Sequence, residues 1–343
     1  MIKSLNLSDF TCFSHNIIEF SKGINVLIGK NGTGKTHIMK CLTATLKANE
    51  EFKHSTAQTR DKYNELLSDK LMSYFKPDAL GRLVNKNSKL SSVGVEFFTG
   101  DKIEYSFSTG MKLVKTDVAN YIPASPFLYI PPREVFSLFE GFIGLYERRE
   151  ISFDQSYVDL AKALNVTPLK GEPYQKAIKM VQPILEKWDI QVIQKNNRFY
   201  VIEQGKEYEA HLVAEGLRKV ATILYLVSNG ELKENSILFW DEPEANLNPS
   251  LISVIADLLL SLNKHGIQIF IATHDYLLTH RLSLHAEYPN VENPVDFAFF
   301  NLEKQENKLV IEKGTSLVEI QNNAILNEYA AFYDEETQLI NSK

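Results

Sequence analysis

Apolar and polar positions alternate over residues 2–20, with Ile2, Leu5 and Leu7 and then Ile17, Ile18 and Phe20 on the apolar beat. Ser21-Lys22-Gly23 interrupts the alternation, and an apolar run, broken only by Asn25, follows over 24–28. A period of two predicts half-buried strands, and a continuous apolar run predicts a strand covered on both faces. Two strands leading into a buried third are therefore expected. From His37 the apolar residues return at helical spacing, so the glycines of 29–34 fall in a strand-to-helix turn.

Residues 50–90 are polar and charged, with a helical stretch around 62–75 and a break at Pro77-Asp78. Residues 91–107 alternate on either side of Thr99-Gly100-Asp101, a hairpin pattern, and 127–130 form a short strand stopped by Pro131-Pro132. The stretch 134–188 reads as mainly helical with a loop at 167–173, and a hairpin is expected over 190–208. A second alternation then begins: helix over about 215–229, strand 237–240, helix 249–264 between Pro249 and Gly266, strand 267–272. A strand over 308–313 and a helix over 320–333 complete the pattern. Strands alternating with helices predict a parallel sheet. The expected fold is α/β: a mixed or parallel central sheet, an antiparallel N-terminal β-subdomain and an inserted helical lobe. The expected division is 1–133, 134–209 and 210–343.

Composition narrows the class. A chain of 343 residues with 44% hydrophobic content can bury a large core. Its 37 basic and 43 acidic side chains, a formal charge of −6, exclude a chain-wide footprint for nucleic acid. A local patch is left open, because residues 40–89 hold ten Lys/Arg against six Asp/Glu. Cys12 and Cys41 supply neither a disulfide framework nor a C-x-x-C metal spacing. No signal-peptide core and no run of membrane-spanning length is present, so a cytoplasmic, non-membrane protein is expected.

The chemistry concentrates at three strand ends. Gly29-Lys30-Asn31-Gly32-Thr33-Gly34-Lys35-Thr36 fits G-x-x-x-x-G-K-[ST] at every fixed position, with an apolar strand before it and a helix after it. Glycines let backbone N–H groups face phosphates with no Cβ between, and the helix turns its positive end toward them. Lys35 is placed to reach the β and γ phosphates, and the Thr36 hydroxyl to ligate Mg2+. A dinucleotide-binding fingerprint fits less well, because Lys35-Thr36-His37 stand where a third glycine should follow Gly32-Thr33-Gly34. ATP is thus the expected ligand of residues 29–36.

Such a loop needs a second carboxylate at the end of a neighbouring strand, and Ile237-Leu238-Phe239-Trp240-Asp241-Glu242 supplies one. Asp241 is the expected partner of Thr36 at the metal, and Glu242 the expected general base for an attacking water. An acidic pair at a strand end is by itself often only the preamble to a helix cap; a complete P-loop in the same chain changes its reading. His274 closes a third apolar strand and is expected to donate a hydrogen bond to the γ phosphate. Lys35, Glu242 and His274 are accordingly the candidate catalytic residues.

Together these pieces resemble the ABC-type P-loop ATPases, and the whole chain resembles the branch that includes RecF, the SMC proteins and the OLD family. The resemblance rests on Leu7-Ser8-Asp9-Phe10-Thr11-Cys12-Phe13 and Gly23-Ile24-Asn25-Val26-Leu27-Ile28-Gly29. It rests also on Asp241-Glu242-Pro243-Glu244-Ala245-Asn246-Leu247-Asn248-Pro249, similar to a Walker B strand plus D-loop, and on Thr273-His274-Asp275, similar to a switch histidine. Tyr129-Ile130-Pro131-Pro132-Arg133-Glu134-Val135 is similar to a segment of the small AAA-domain ATP-binding proteins of bacterial phage-defence and toxin-antitoxin modules.

The resemblance implies ATP hydrolysis at a dimer interface, where a signature loop of one subunit caps the nucleotide held by the other. Val213-Ala214-Glu215-Gly216-Leu217-Arg218-Lys219 occupies the matching place, which makes Glu215 and Gly216 candidate nucleotide contacts. Ala214 stands where the family usually has serine, so one hydroxyl contact is missing and slow hydrolysis is expected. Arg133-Glu134 stand where a Q-loop glutamine would be, and Thr11 where many relatives carry a basic residue.

The implied partners are a second copy of the chain, or a larger oligomer, and a separately encoded effector, a toxin or a nuclease. The 68 residues after Asp275 are short for the nuclease domain of the OLD family and lack a D-x-D cluster. The alternative is a RecF-like DNA-repair ATPase that clamps DNA, motivated by Lys62, Lys70, Lys76, Arg82, Lys86 and Lys89. Contact with DNA or RNA stays open at this stage.

Overall fold

A computed structural model describes residues 1–118, 120–290, 294–305 and 308–341. The N-terminal half contains β1 (Ile2–Phe10), β2 (Phe13–Glu19), β3 (Ile24–Ile28), α1 (Lys35–Lys53), α2 (Arg60–Phe75), β4 (Leu90–Phe97), β5 (Lys102–Ser108), β6 (Lys115–Thr116) and β7 (Phe127–Ile130). There follow α3 (Phe142–Glu147), α4 (Gln155–Leu164), α5 (Gly171–Ile178), α6 (Gln182–Trp188), β8 (Ile190–Lys195), β9 (Arg198–Glu203) and β10 (Lys206–Glu209). The remainder comprises α7 (Glu215–Ser228), β11 (Ile237–Asp241), α8 (Pro249–Lys264), β12 (Gln268–Thr273), α9 (Tyr276–Glu287), β13 (Phe297–Gln305), β14 (Lys308–Gly314) and α10 (Ala324–Asn341).

The central sheet has the order β14-β13-β3-β12-β11-β7, parallel throughout except for the antiparallel edge strand β14. Every residue of β3, β11 and β12 is buried, as their largely apolar runs lead one to expect of strands with a layer on each face. The pleat sorts their side chains into two cores. Ile24, Val26, Ile28, Leu238, Trp240, Ile269 and Ile271 meet α7, α8 and the 134–209 segment on one side. Leu27, Phe239, Phe270 and Ala272 meet α1, α2 and the antiparallel sheet β2-β1-β4-β5-β6 on the other. The α/β class, the mixed central sheet and the antiparallel N-terminal sheet are those the hydrophobic pattern predicts.

A buried amide joins the two sheets. Gln268 Oε1 accepts from the Ile2 backbone N–H at 2.9 Å, and its Nε2 donates to the Ile2 and Ser21 carbonyls at 2.7 and 2.8 Å. It does for the start of β1 what a neighbouring strand would do, and leaves none of these groups unpaired in the interior. The helices and connecting turns of the 134–209 segment place Phe136, Phe139, Val158, Leu164, Met180 and Ile184 in the core shared with α7 and α8.

Three elements differ from the sequence pattern. The 190–208 hairpin is a three-stranded meander, β10-β9-β8, whose last strand is exposed and polar. The predicted loop at 167–173 ends earlier, where α5 starts at Gly171. The pattern over 308–313 finds its partner in β13, buried on both faces from Phe297 to Leu302 and therefore without the alternation that marks an edge strand. Among the described residues no helix is long and apolar enough to cross a membrane.

Candidate functional site

Strands β3, β11 and β12 lie side by side, so their carboxyl ends, Ile28, Asp241 and Thr273, come to one edge of the sheet. In an open parallel sheet that edge is where ligands bind. Three glycines shape the loop that leaves β3. Gly29 has φ +151°, and a Cβ there would lie 2.4 Å from the Leu302 carbonyl oxygen. Gly34, the N-cap of α1, has φ +94°, and its Cβ would meet Cys12 Sγ at 2.6 Å and the Phe13 ring at 2.7 Å. Gly32 has φ +77° with nothing within 4 Å of a Cβ, so its backbone faces open space. Two glycines are there for close packing and one leaves the loop surface clear.

Lys35 opens α1 and is buried. Its Nζ donates to the Gly29 and Lys30 carbonyl oxygens at 2.6 and 3.1 Å. Burial lowers its pKa, against the pull of Asp241, Glu242 and Glu244. The next residue, Thr36, donates from Oγ1 to Asp241 Oδ2 at 2.8 Å, so the loop and the β11 carboxylate meet. The Tyr129 hydroxyl on β7 donates to the same oxygen at 3.1 Å. Asp241 is buried, and desolvation raises its pKa to about 6 although both hydroxyl bonds pull it down.

Glu242 follows the strand in the left-handed region, φ +47°, with its N–H on the Ala272 carbonyl at 2.9 Å. A non-glycine residue held there costs on the order of 1 kcal/mol. Lys219 on α7 helps hold the turn: its buried Nζ donates to the Glu242 carbonyl at 3.1 Å and to that of Ala245 at 2.8 Å. Glu244 is also buried. Its Oε1 accepts from Thr273 Oγ1 at 2.6 Å and from the His274 backbone N–H at 3.2 Å, while Oε2 has no hydrogen-bond partner among the described residues. His274 Nδ1 lies 3.6 Å from Glu242 and 3.8 Å from Glu244, between two carboxylates. A cavity of about 380 Å³ opens on Gly32, Gly34, Lys35, Thr36 and Glu242, walled also by Cys12, His37, Lys40 and Phe75. Lys30, Asn31 and Thr33 complete the loop, which Thr33 braces by donating from Oγ1 to the Lys30 carbonyl at 2.9 Å.

Glu215 and Gly216 stand apart from this cavity, beside their own chain's D-loop. Asn246 Nδ2 donates to Glu215 Oε1 at 3.0 Å, and a Cβ on Gly216 would come within 2.6 Å of both Leu247 and Leu251. The glycine lets α7 approach the D-loop and α8. Ala214 caps α7 with no side-chain bond. Arg218 Nε lies 2.9 Å from Glu134 Oε1, both side chains largely buried, and the Arg218 guanidinium donates to the Val213 carbonyl at 2.6 Å. The Arg133-Glu134 segment after β7 is thereby tied to α7. Tyr129, Lys219, Glu244 and Phe75 are the residues that motif reading misses. Tyr129 lies in a short apolar strand, Lys219 and Glu244 sit inside segments already assigned to other residues, and Phe75 comes from a distant helix end.

The donor set suits ATP and Mg2+: a lysine and glycine-rich loop for phosphates, and two hard oxygen ligands, a hydroxyl and a carboxylate, already in contact. Fold and site together define a P-loop ATPase-type α/β domain, with the loop of 29–36 and Asp241 in contact at the carboxyl edge of the sheet. Within that class the chain belongs to the family described as "AAA domain, putative AbiEii toxin, Type IV TA system", which matches residues 24–279. Among solved structures it is similar to the SmcHead bound to the C-winged helix domain of ScpA, with a TM-score of 0.54 and 13% identity over 91% of this chain and 97% of that one. It is also similar to the SMC head domain from Thermotoga maritima (0.50, 12%, 91% and 98%). A third likeness is to the Smc head domain with an extended coiled coil bound to the C-terminal domain of ScpA derived from Pyrococcus furiosus (0.51, 12%, 98% and 99%). At these identities the likeness is one of fold. No curated protein matches the sequence.

Proposed function

We propose that the chain binds and slowly hydrolyses ATP, and that it does so as a nucleotide-gated dimer or larger oligomer controlling a separately encoded effector, a toxin or nuclease of a defence or toxin-antitoxin module. The observation that carries this reading is the convergence of Lys35, Thr36 and Glu242 on one 380 Å³ cavity at the carboxyl edge of the sheet, with Asp241 bonded to Thr36 and His274 3.6 Å from Glu242 behind them. Residues 29–36 cradle the phosphates; Lys35 exchanges its two carbonyl partners for phosphate oxygens. Thr36 and Asp241 would hold Mg2+, which supplies charge neutralisation between the β and γ phosphates. Glu242 takes a proton from the attacking water, and its turn conformation, fixed by Lys219, aims the carboxylate past the strand end. His274 donates to the γ phosphate and reports its presence.

Glu215 and Gly216 are assigned to the nucleotide of a second copy. The uncapped start of α7 supports this, since its first N–H groups have no side-chain acceptor of their own and suit an anion. Two of the similar solved heads carry a domain of ScpA, which supports a protein partner. The DNA-clamp alternative loses ground to the pairing of Lys62 with Glu65 and Lys70 with Glu51, and to Lys76 lying on Ser152. The test is a pair of variants. Lys35→Ala should abolish binding of a fluorescent ATP analogue. Glu242→Gln should keep ATP, cut turnover by two orders of magnitude or more, and accumulate as a dimer in light scattering. Wild-type turnover in Glu242→Gln would remove Glu242 from the general-base role.

A further inference from the structure

Helix α10 is anchored at one end and bare along the rest. Its cap, Asn323, is buried and accepts from the Ile325 and Leu326 N–H groups at 3.0 and 3.3 Å. The Gln321 and Asn322 N–H groups donate to the Glu312 carboxylate of β14 at 2.7 and 3.2 Å. Asn301 of β13 donates to the Asn322 carbonyl at 2.5 Å. From Asn327 to Asn341, by contrast, every residue is exposed.

That bare stretch is not a polar one. Phe332 is 67% exposed, Tyr333 69% and Ile340 66%, and the Tyr329 ring is covered on one side by Tyr276 at 4.6 Å between centroids. These residues recur at three- and four-residue spacing and so share one stripe. Glu336 lies on the same stripe, four residues after Phe332 and four before Ile340. The helix carries Glu328, Asp334, Glu335 and Glu336 and no Lys or Arg. A helix of this length is marginal in water without tertiary packing. An aromatic stripe left in solvent marks an interaction surface.

We propose that α10 is the docking helix for a different polypeptide, whose apolar groove takes Phe332, Tyr333 and Ile340 and whose Lys or Arg pairs with Glu336. Pairing with a second α10 would bring two Glu336 carboxylates into one seam with no cation to offset them, which disfavours self-association through this face. The assignment rests on the effector reading above and gives that partner a site. It also links the partner to the nucleotide site: Tyr276, whose ring packs tilted against Tyr329, stands two residues after His274.

The test uses the full chain, co-expressed in turn with each polypeptide encoded beside its gene, with binding measured by calorimetry in the presence of ATP. One such polypeptide is expected to bind, and Phe332→Glu with Tyr333→Glu to weaken it at least tenfold. Glu336→Lys should weaken it comparably, with ATP affinity unchanged in both. Binding left intact by these variants overturns the α10 assignment and leaves the effector reading standing. No binding by any neighbour, with wild-type chain, overturns both. A variant that lowers the oligomeric state in light scattering makes a second copy the occupant and overturns the proposal.

Discussion

Single residues in this site are held in states that free amino acids avoid, and each makes its own prediction. Gly29, Gly32 and Gly34 share a motif but not a reason. Gly29→Ala drives a Cβ into a backbone carbonyl and Gly34→Ala into Cys12 and Phe13, whereas Gly32→Ala meets nothing. The first two should lower stability by roughly 2–4 kcal/mol, the last by about 1 kcal/mol of left-handed strain; thermal melts without nucleotide separate them. Glu244 is raised above its ordinary pKa of 4.5, chiefly by burial, with the Thr273 and His274 bonds opposing. Above that value the unfolded chain has released a proton that the native carboxyl retains, so this group makes stability fall as pH rises. Glu244→Gln should remove that slope, and its melting temperature should gain on wild type as the pH rises above 4.5. An unchanged slope would mean that the free oxygen finds a partner in solution.

Elements come next, and here α7 has the largest reach. Its Lys219 holds the turn after β11, its Gly216 admits Leu247 and Leu251, and its Arg218 pairs with Glu134 after β7. A helix fastened to both the Walker B turn and the segment in the Q-loop position can pass a change at one to the other. Glu134→Ala or Arg218→Ala leaves a largely buried charge unpaired, at a cost of about 3–5 kcal/mol. The double variant should cost less than the sum of the two, and denaturant titration of the four-member cycle reads that coupling. Strict additivity would show the pair to be independent. Lys219→Met takes the donor from the Ala245 carbonyl and leaves the Glu242 carbonyl with the Ala245 N–H alone, and should lower both stability and turnover, because the Glu242 turn loses its brace.

At the scale of the whole molecule, one sheet divides two cores and its carboxyl edge carries the chemistry. Gln268→Leu should loosen the antiparallel sheet from the central one, at a cost of a few kcal/mol for the Ile2 N–H and carbonyl that lose its amide, while the Ser21 carbonyl keeps Asn25; hydrogen exchange at β1 would report it before global unfolding. The sequence alone determined the strand-to-helix order, because hydrophobic period is local, and the loop of 29–36, because phosphate binding by backbone requires glycines at fixed spacing within one short stretch. Asp241, Glu242 and His274 were legible for a related reason: each closes an apolar run, and strand ends in a parallel sheet share one edge. Only the tertiary structure decided what comes from elsewhere. Tyr129 reaches Asp241 across a strand pairing, Lys219 reaches Glu242 from a helix, and Phe75 closes the cavity from the end of α2. β13 was hidden because full burial erases alternation, and the exposed stripe of α10 because exposure belongs to the packed molecule and to no stretch of sequence.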